Sequence, residues 1–287
     1  MLFRRILFLL TTVTALHAQW PTYPTVGIPR MPDGKPNLDG PTPRAIDGHP
    51  DFSGIWDFRN PTATVNANTG TGAGVAGASQ NERVPFGQTY APGEIAQFWN
   101  IGSSLEGGLP FRPQGEQLRA ARRGENSKDN PDARCLPISL TQLHTHNQPR
   151  KVVQTPNVVV IINESNSGLR QIFTDGRRLP GADVEPWWYG YSVGHWEGDT
   201  LAVETTGFRD DVWLDYEGSP LSSAGKVMER FRRPNYGSLE IEVTVDDPKF
   251  YTKPWTVKIN QRILPDTELI EFICNENNRD AGHLVGR

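Results

Sequence analysis

The sequence has few cysteines, little excess charge and a single long hydrophobic run. Two of the 287 residues are cysteine, and 29 basic side chains nearly balance 33 acidic ones. This balance gives no sign of the excess basic charge that is typical of nucleic-acid binding. Beyond the N-terminus no apolar run approaches the roughly 18 residues that span a bilayer as a helix. We therefore expect no nucleic-acid partner and no membrane span.

The first 18 residues have the pattern of a secretory signal peptide. Arg4 and Arg5 precede an apolar stretch over residues 6–16, and the small residue Ala18 ends it. This stretch is too short to serve as a membrane-spanning anchor. We predict cleavage after Ala18 and a secreted or periplasmic protein.

The two cysteines, Cys135 and Cys274, are an even pair. In an oxidising compartment an even number of cysteines is typical of disulfides. Neither cysteine has a sequence context that would stabilise a catalytic thiolate. We predict a Cys135–Cys274 disulfide, with two free buried thiols as the alternative.

The first half of the chain is irregular in pattern. Residues 19–53 form a Pro- and Gly-rich arm, in which the Asp-Gly segment at 33–40 is echoed at 47–54. Both copies predict turns followed by extended segments. An irregular insertion over about 60–150 follows, with short helices expected at Pro92–Asn100 and Gly115–Arg123.

From Lys151 onward, short runs alternate apolar and polar residues, as strands with one buried face do. We predict strands at Val158–Ile162 (buried on both faces), Leu169–Phe173, Tyr189–Glu197, Thr200–Thr206, Lys226–Arg232, Leu239–Asp246, Trp255–Ile263 and Leu269–Cys274. The short turns between them indicate an all-β, antiparallel meander that closes into a barrel, with a sandwich as the alternative. Residues 54–287 are expected to form this single domain, which the arm wraps.

Gly54-Ile55-Trp56 stands at the start of an earlier strand. A Gly-x-Trp at this place resembles the lipocalin signature, in which the Trp plugs the closed end of a barrel. The resemblance implies a lipocalin-like barrel, and the alternative is an ordinary tryptophan of the core.

The segment 189–206 predicts a hairpin with Gly198-Asp199 at its turn. Pairing then sets Glu197 opposite Thr200 and His195 opposite Ala202. One face carries Trp196, Leu201 and Val203, and the other carries Tyr191, His195, Glu197 and Glu204. A His oriented by a carboxylate is a general base near neutral pH. If this face lines the barrel interior, His195 with Glu204 or Glu197 is the leading candidate for a catalytic pair. The alternative is a polar face that meets solvent and has no catalytic role.

His144-Thr145-His146 has a spacing that places two imidazoles on one face of a strand. With His195 or a carboxylate they would complete a three-ligand site for a divalent metal. Because the sequence fixes no third ligand, surface histidines without a metal are the alternative. No other cofactor is expected.

Several sequence segments, taken together, resemble those of a group of secreted bacterial proteins of unassigned function. They lie at 32–38, 53–56, 172–177, 190–208, 229–233 and 246–255. The similarity extends from about Asp33 to Asn278 and implies one continuous unit. It carries over no catalytic residue.

These features support two main functions. The first is an exported barrel that binds a small molecule, with apolar or aromatic ligands or sugars stacking on Trp187, Trp188, Tyr191 and Trp196. The second is a secreted hydrolase or lyase that uses His195, with or without a metal at His144 and His146. A third, an envelope interaction module, would use an outer face of the domain. The sequence does not determine the ligand or the oligomeric state.

Overall fold

The computed structural model describes residues 24–58, 99–146, 148–181 and 183–276. The signal-peptide pattern and most of the helix expected at Pro92–Asn100 lie outside these residues. The helix expected at Gly115–Arg123 is present as α1, Pro113–Gly124.

Nine strands of the described residues close into a barrel, which confirms the all-β prediction over the sandwich. The order around the barrel is β1-β11-β10-β9-β6-β5-β4-β3-β2, and β2 pairs with β1 to close it. A separate two-stranded ribbon is formed by β7 and β8. The strands are β1 Gly54–Phe58, β2 Arg150–Gln154, β3 Val158–Asn163, β4 Leu169–Phe173, β5 Tyr191–Glu197, β6 Thr200–Thr206, β7 Val212–Trp213, β8 Pro220–Leu221, β9 Lys226–Asn235, β10 Ser238–Asp246 and β11 Trp255–Ile263.

The barrel departs from an antiparallel meander at one pair. β4 and β5 run parallel, with Ile172 beside Ser192 and Phe173 beside Val193. The connection over residues 174–190 is long enough to return the chain to the end at which β4 begins. β5 therefore starts at that end and runs in the same direction.

The strand predicted at Val158–Ile162 is present as β3, but its predicted burial on both faces is wrong, and the strand predicted at Leu269–Cys274 is absent. The outward residues of β3 are half-buried, so Val158–Ile162 has one buried face and not two. Leu269–Cys274 forms no strand, because β1 already pairs with both β2 and β11 and leaves no sheet edge for it. Instead, residues 264–276 form an irregular strap that the Cys135–Cys274 disulfide, as predicted, ties to the rest of the fold.

The arm folds into two fingers that repeat one turn. Finger one spans 29–37 and finger two spans 43–51. Met31 N donates to Lys35 O in the first, and Ala45 N donates to His49 O in the second. In each finger an Asp side chain accepts from the backbone N–H two residues later. The echo in the sequence is therefore a repeated turn.

Each finger is fixed to the same end of the barrel by an arginine. Arg30 binds Asp266, just after β11. Arg44 binds Asp199, in the turn between β5 and β6. We call this end the lower mouth. Trp56 is fully buried at this end, and the Arg233 guanidinium lies 4.8 Å from its ring centroid.

The opposite end is covered by α2, Leu140–Thr145, in which every residue is buried. Ser139 begins this helix by accepting a hydrogen bond from Gln142 N. Between the two ends the barrel is filled by Val152, Val159, Ile161, Ile172, Leu201, Phe231, Leu239 and Ile241, with Phe52 and His144 reaching in from the ends. The gap left between these described side chains has room for about one water molecule.

Candidate functional site

The hairpin of β5 and β6 has the predicted register. Glu197 lies opposite Thr200, Trp196 opposite Leu201 and His195 opposite Ala202. Leu201 and Val203 face the barrel interior and are buried. The other face, with His195, is the outer wall of the barrel, and the His195 side chain is 71% exposed.

His195 pairs with Glu197 and not with Glu204. Its Nε2 lies 3.0 Å from Glu197 Oε1, whereas Glu204 is held by Lys226 at 2.6 Å. A hydrogen bond from Arg230, together with the one from His195, lowers the pKa of Glu197. The candidate catalytic pair thus lies on the outer wall and not in the barrel interior, where the catalytic prediction required it. Its catalytic role stays a prediction.

The strand expected at His144–His146 is wrong, because Ser139 caps a short helix there. His144 is in α2, and its Nε2 lies 2.8 Å from Glu229 Oε1 in the barrel interior. His146 follows the helix, and its Nε2 lies 3.6 Å from Asp132 Oδ2. The two imidazoles therefore contact different partners and do not share a site.

The nitrogen atoms of these histidines have competing partners. Gln148 N donates to His146 Nδ1 at 3.3 Å. A metal bound to Nε2 would require a proton on Nδ1, and this hydrogen bond would then be lost. Metal binding at His144 Nε2 would break the contact with Glu229. In the part of the chain that the structure describes, no group of three or more His, Cys, Asp or Glu side chains is arranged to hold a metal ion.

Sequence reasoning missed a cluster of polar side chains inside the barrel. Arg170 donates to both oxygens of Glu229 and, at 3.0 and 3.1 Å, to the hydroxyls of Ser192 and Thr205. His144 completes this interior ion cluster. Its members are at most 1% exposed. The available signal was the period of two along each strand. Arg170 falls on the same inward face of β4 as Ile172, and Glu229 falls between Val227 and Phe231 on the inward face of β9.

The electrostatics of the cluster follow from burial and charge. Burial alone would raise the pKa of Glu229, but the charge of Arg170 and the hydrogen bonds from His144 and Arg170 lower it to about 2. Burial lowers the pKa of His144 in spite of the adjacent Glu229. The cluster is therefore a buried Arg–carboxylate pair beside a neutral imidazole. A substrate cannot reach it through the filled interior.

The structure brings together two of the four aromatic residues predicted to bind a ligand. The ring centroids of Trp187 and Tyr191 lie 5.2 Å apart at an interplanar angle of 54°. Phe173, on β4, stacks on Tyr191 at 5.2 Å and 29°. We call Phe173, Trp187 and Tyr191 the aromatic platform. The other two lie elsewhere: Arg209 covers the Trp188 ring, and Trp196 lies at the lower mouth.

Local contacts fix the platform on the outer wall. Trp187 N donates to Gly207 O at 2.9 Å, and a Cβ at Gly207 would lie 3.2 Å from the indole. The absence of a side chain at Gly207 therefore lets the ring lie against the backbone, while 38% of Trp187 stays exposed. Arg177, held by Asp175, lies 3.7 Å from the Phe173 centroid and donates to the Tyr191 hydroxyl at 3.0 Å.

No protein-family model, curated protein or solved structure matches this chain. The barrel, the disulfide and the aromatic platform are the observations from which a function is inferred.

Proposed function

We propose that this is an exported protein that binds carbohydrate rings on the aromatic platform of its barrel. Export is supported by the signal-peptide pattern at 1–18 and by the disulfide, which persists in oxidising compartments. Across the described residues, no helix has both the length and the apolar character needed to cross a membrane.

The observation that carries the proposal is a partly exposed indole that lies against the Gly207 backbone and beside a second ring. The C–H groups on one face of a sugar ring carry partial positive charge and pack on the negative face of an aromatic ring. Trp187 is 38% exposed, and its six-membered ring lies against Gly207, where a Cβ would come within 3.2 Å of it. The ring is thus positioned before a ligand arrives, which reduces the entropy cost of binding.

The polar groups beside the platform suit hydroxyl recognition. Arg177 covers the Phe173 ring, 3.7 Å from its centroid, so Trp187 is the ring of the platform that is left for a sugar to stack on. The Arg177–Asp175 pair lies beside Tyr191 and offers both hydrogen-bond donors and acceptors to a sugar. A planar apolar ligand would leave these groups unused. Carbohydrate therefore fits the platform better than the apolar ligands that the sequence also allowed.

The outer wall is favoured as the ligand-binding surface because the space inside the barrel is too small for a ligand. A small-molecule pocket typically measures about 300–1,000 Å³, whereas the barrel interior has room for about one water molecule. An internal ligand would require most of the core to move. The platform needs no such change.

Isothermal titration with cellohexaose, xylohexaose, chitohexaose and laminarihexaose tests the proposal. Wild type is expected to bind at least one of them, and Trp187→Ala should weaken that binding about 10- to 100-fold, which corresponds to about 1–3 kcal/mol of lost stacking and burial. Trp99→Ala is the matched control, because Trp99 is 41% exposed and lies on Tyr216, away from the platform.

Two results would overturn the proposal: no binding of any oligosaccharide at millimolar concentration, or equal losses in Trp187→Ala and Trp99→Ala. His195→Ala addresses the hydrolase or lyase alternative in the same samples. If a bound oligosaccharide is cleaved by wild type and not by His195→Ala, the protein is an enzyme whose platform serves as its substrate site.

A further inference from the structure

The lower mouth of the barrel carries a second aromatic surface, and one of the protein's own fingers covers it. The His49 ring of finger two lies on the indole of Trp196, with centroids 4.4 Å apart and planes within 1° of parallel. Phe52 contacts the same indole at 5.3 Å, and Trp196 packs against the core. The imidazole therefore occupies a stacking position at the rim of the barrel.

Comparison of the two fingers shows that the turn itself does not require this contact. Lys35 is the equivalent of His49 in finger one, and its side chain is 75% exposed and pairs with Asp33. Finger one nevertheless forms the same backbone hydrogen bonds as finger two. The stacking of His49 on Trp196 is thus an added feature of finger two.

The tip of finger two is held by contacts that solvent reaches. Arg44 binds Asp199 at 2.8 Å, but the two side chains are 49% and 62% exposed, and exposed ion pairs contribute little. Ile46, at the tip, is 96% exposed. The base of the finger is fixed more firmly, since Phe52 N donates to Gln154 Oε1 at 2.9 Å.

We propose that Trp196 and Asp199 form a ring-binding site that finger two closes with His49 and Arg44. The finger presents a planar ring to the indole and a cation to the carboxylate. A ligand that displaces it must offer the same two groups, so the site fits a planar aromatic ring that carries a cationic group. This site is separate from the aromatic platform and does not depend on the carbohydrate proposal.

Tryptamine, which has an indole ring and an ammonium group, is the probe, and calorimetry measures its binding to the full chain. Removing the internal competitor in His49→Ala is expected to tighten the apparent Kd about tenfold relative to wild type. Lys35→Ala, the equivalent change in finger one, is the matched control and should bind as wild type does. Adding Trp196→Ala to His49→Ala should abolish the gain.

The charge requirement has its own test. In the His49→Ala background, Asp199→Asn should weaken tryptamine several-fold and leave binding of uncharged indole unchanged. If a lower unfolding midpoint shows that His49→Ala is unstable, Arg44→Ala replaces it. This variant loosens finger two by removing the ion pair with Asp199 and keeps the His49 ring. Arg30→Ala, the equivalent change in finger one, is its control. The proposal is overturned if neither opened variant binds tryptamine more tightly than wild type and its finger-one control.

Discussion

Arg170→Met is expected to destabilise the barrel strongly, because it leaves the buried carboxylate of Glu229 without its main partner. The two side chains are 1% and 0% exposed. Removing one partner of a buried ion pair costs about 3–5 kcal/mol. Urea unfolding at neutral pH measures the loss.

The pH dependence distinguishes lost charge pairing from lost packing. The folded pKa of Glu229 lies below its ordinary value, so its contribution to stability is complete above pH 4.5 and is lost as the pH falls from 4.5 toward 2. His144 acts in the same direction: its folded pKa is lowered from 6.5, so the unfolded chain takes up that proton first. In Arg170→Met the loss between pH 4.5 and 2 should shrink, because burial then raises the pKa of Glu229.

The matched control is the double variant Arg170→Met/Glu229→Gln. It removes both charges and keeps an oxygen that accepts the hydrogen bond from His144. Because no unpaired charge remains, it should regain at least half of the lost stability. A loss below about 1 kcal/mol in Arg170→Met would refute the reasoning. Equal instability of the single and double variants would do the same.

Two further predictions concern stability. Reducing the Cys135–Cys274 disulfide, which joins residues separated by 139 positions, should lower the unfolding free energy by about 5 kcal/mol on the chain-entropy estimate. Urea titrations with and without reductant measure this, and a change below about 1 kcal/mol would contradict it. Gly190→Ala should lose about 1–3 kcal/mol, because Gly190 has φ +68° and a Cβ there would lie 2.6 Å from Thr205 Cγ2. Gly198→Ala is the control, with φ +61° and no atom within 4 Å of its Cβ; equal losses would rule out the close approach as the cause.

Short-range patterns predicted most of the fold. Alternation along Leu239–Asp246 and Trp255–Ile263 identified β10 and β11, since one side of each strand must be buried. Gly198-Asp199 fixed the register of β5 and β6, because a two-residue turn leaves one way to pair the strands. The even cysteine count identified the disulfide. The strands and the hairpin register depend on residues that are close together in sequence. The disulfide could be predicted because the chain has two cysteines and therefore one possible pair.

The features that were missed depend on contacts between distant residues. Nothing near Leu169–Phe173 indicates that its next neighbour runs parallel, because the direction of β5 depends on the path of the whole 174–190 connection. Arg170 and Glu229 lie on different strands, and the sequence around either residue does not indicate that the two form an ion pair. The platform was found in part, since Trp187 and Tyr191 are near in sequence, but Phe173 joins them only through the parallel pairing.

The position of β1 in the barrel has a consequence for how the chain folds. β1, the earliest strand of the barrel, lies between β2 and β11, the last strand. The barrel therefore cannot close until the chain has been made through β11, and both pairings of β1 join segments that are distant in sequence. Such non-local pairings form slowly. Until β11 arrives, one flank of β1 has no partner, so the nascent protein remains an open sheet.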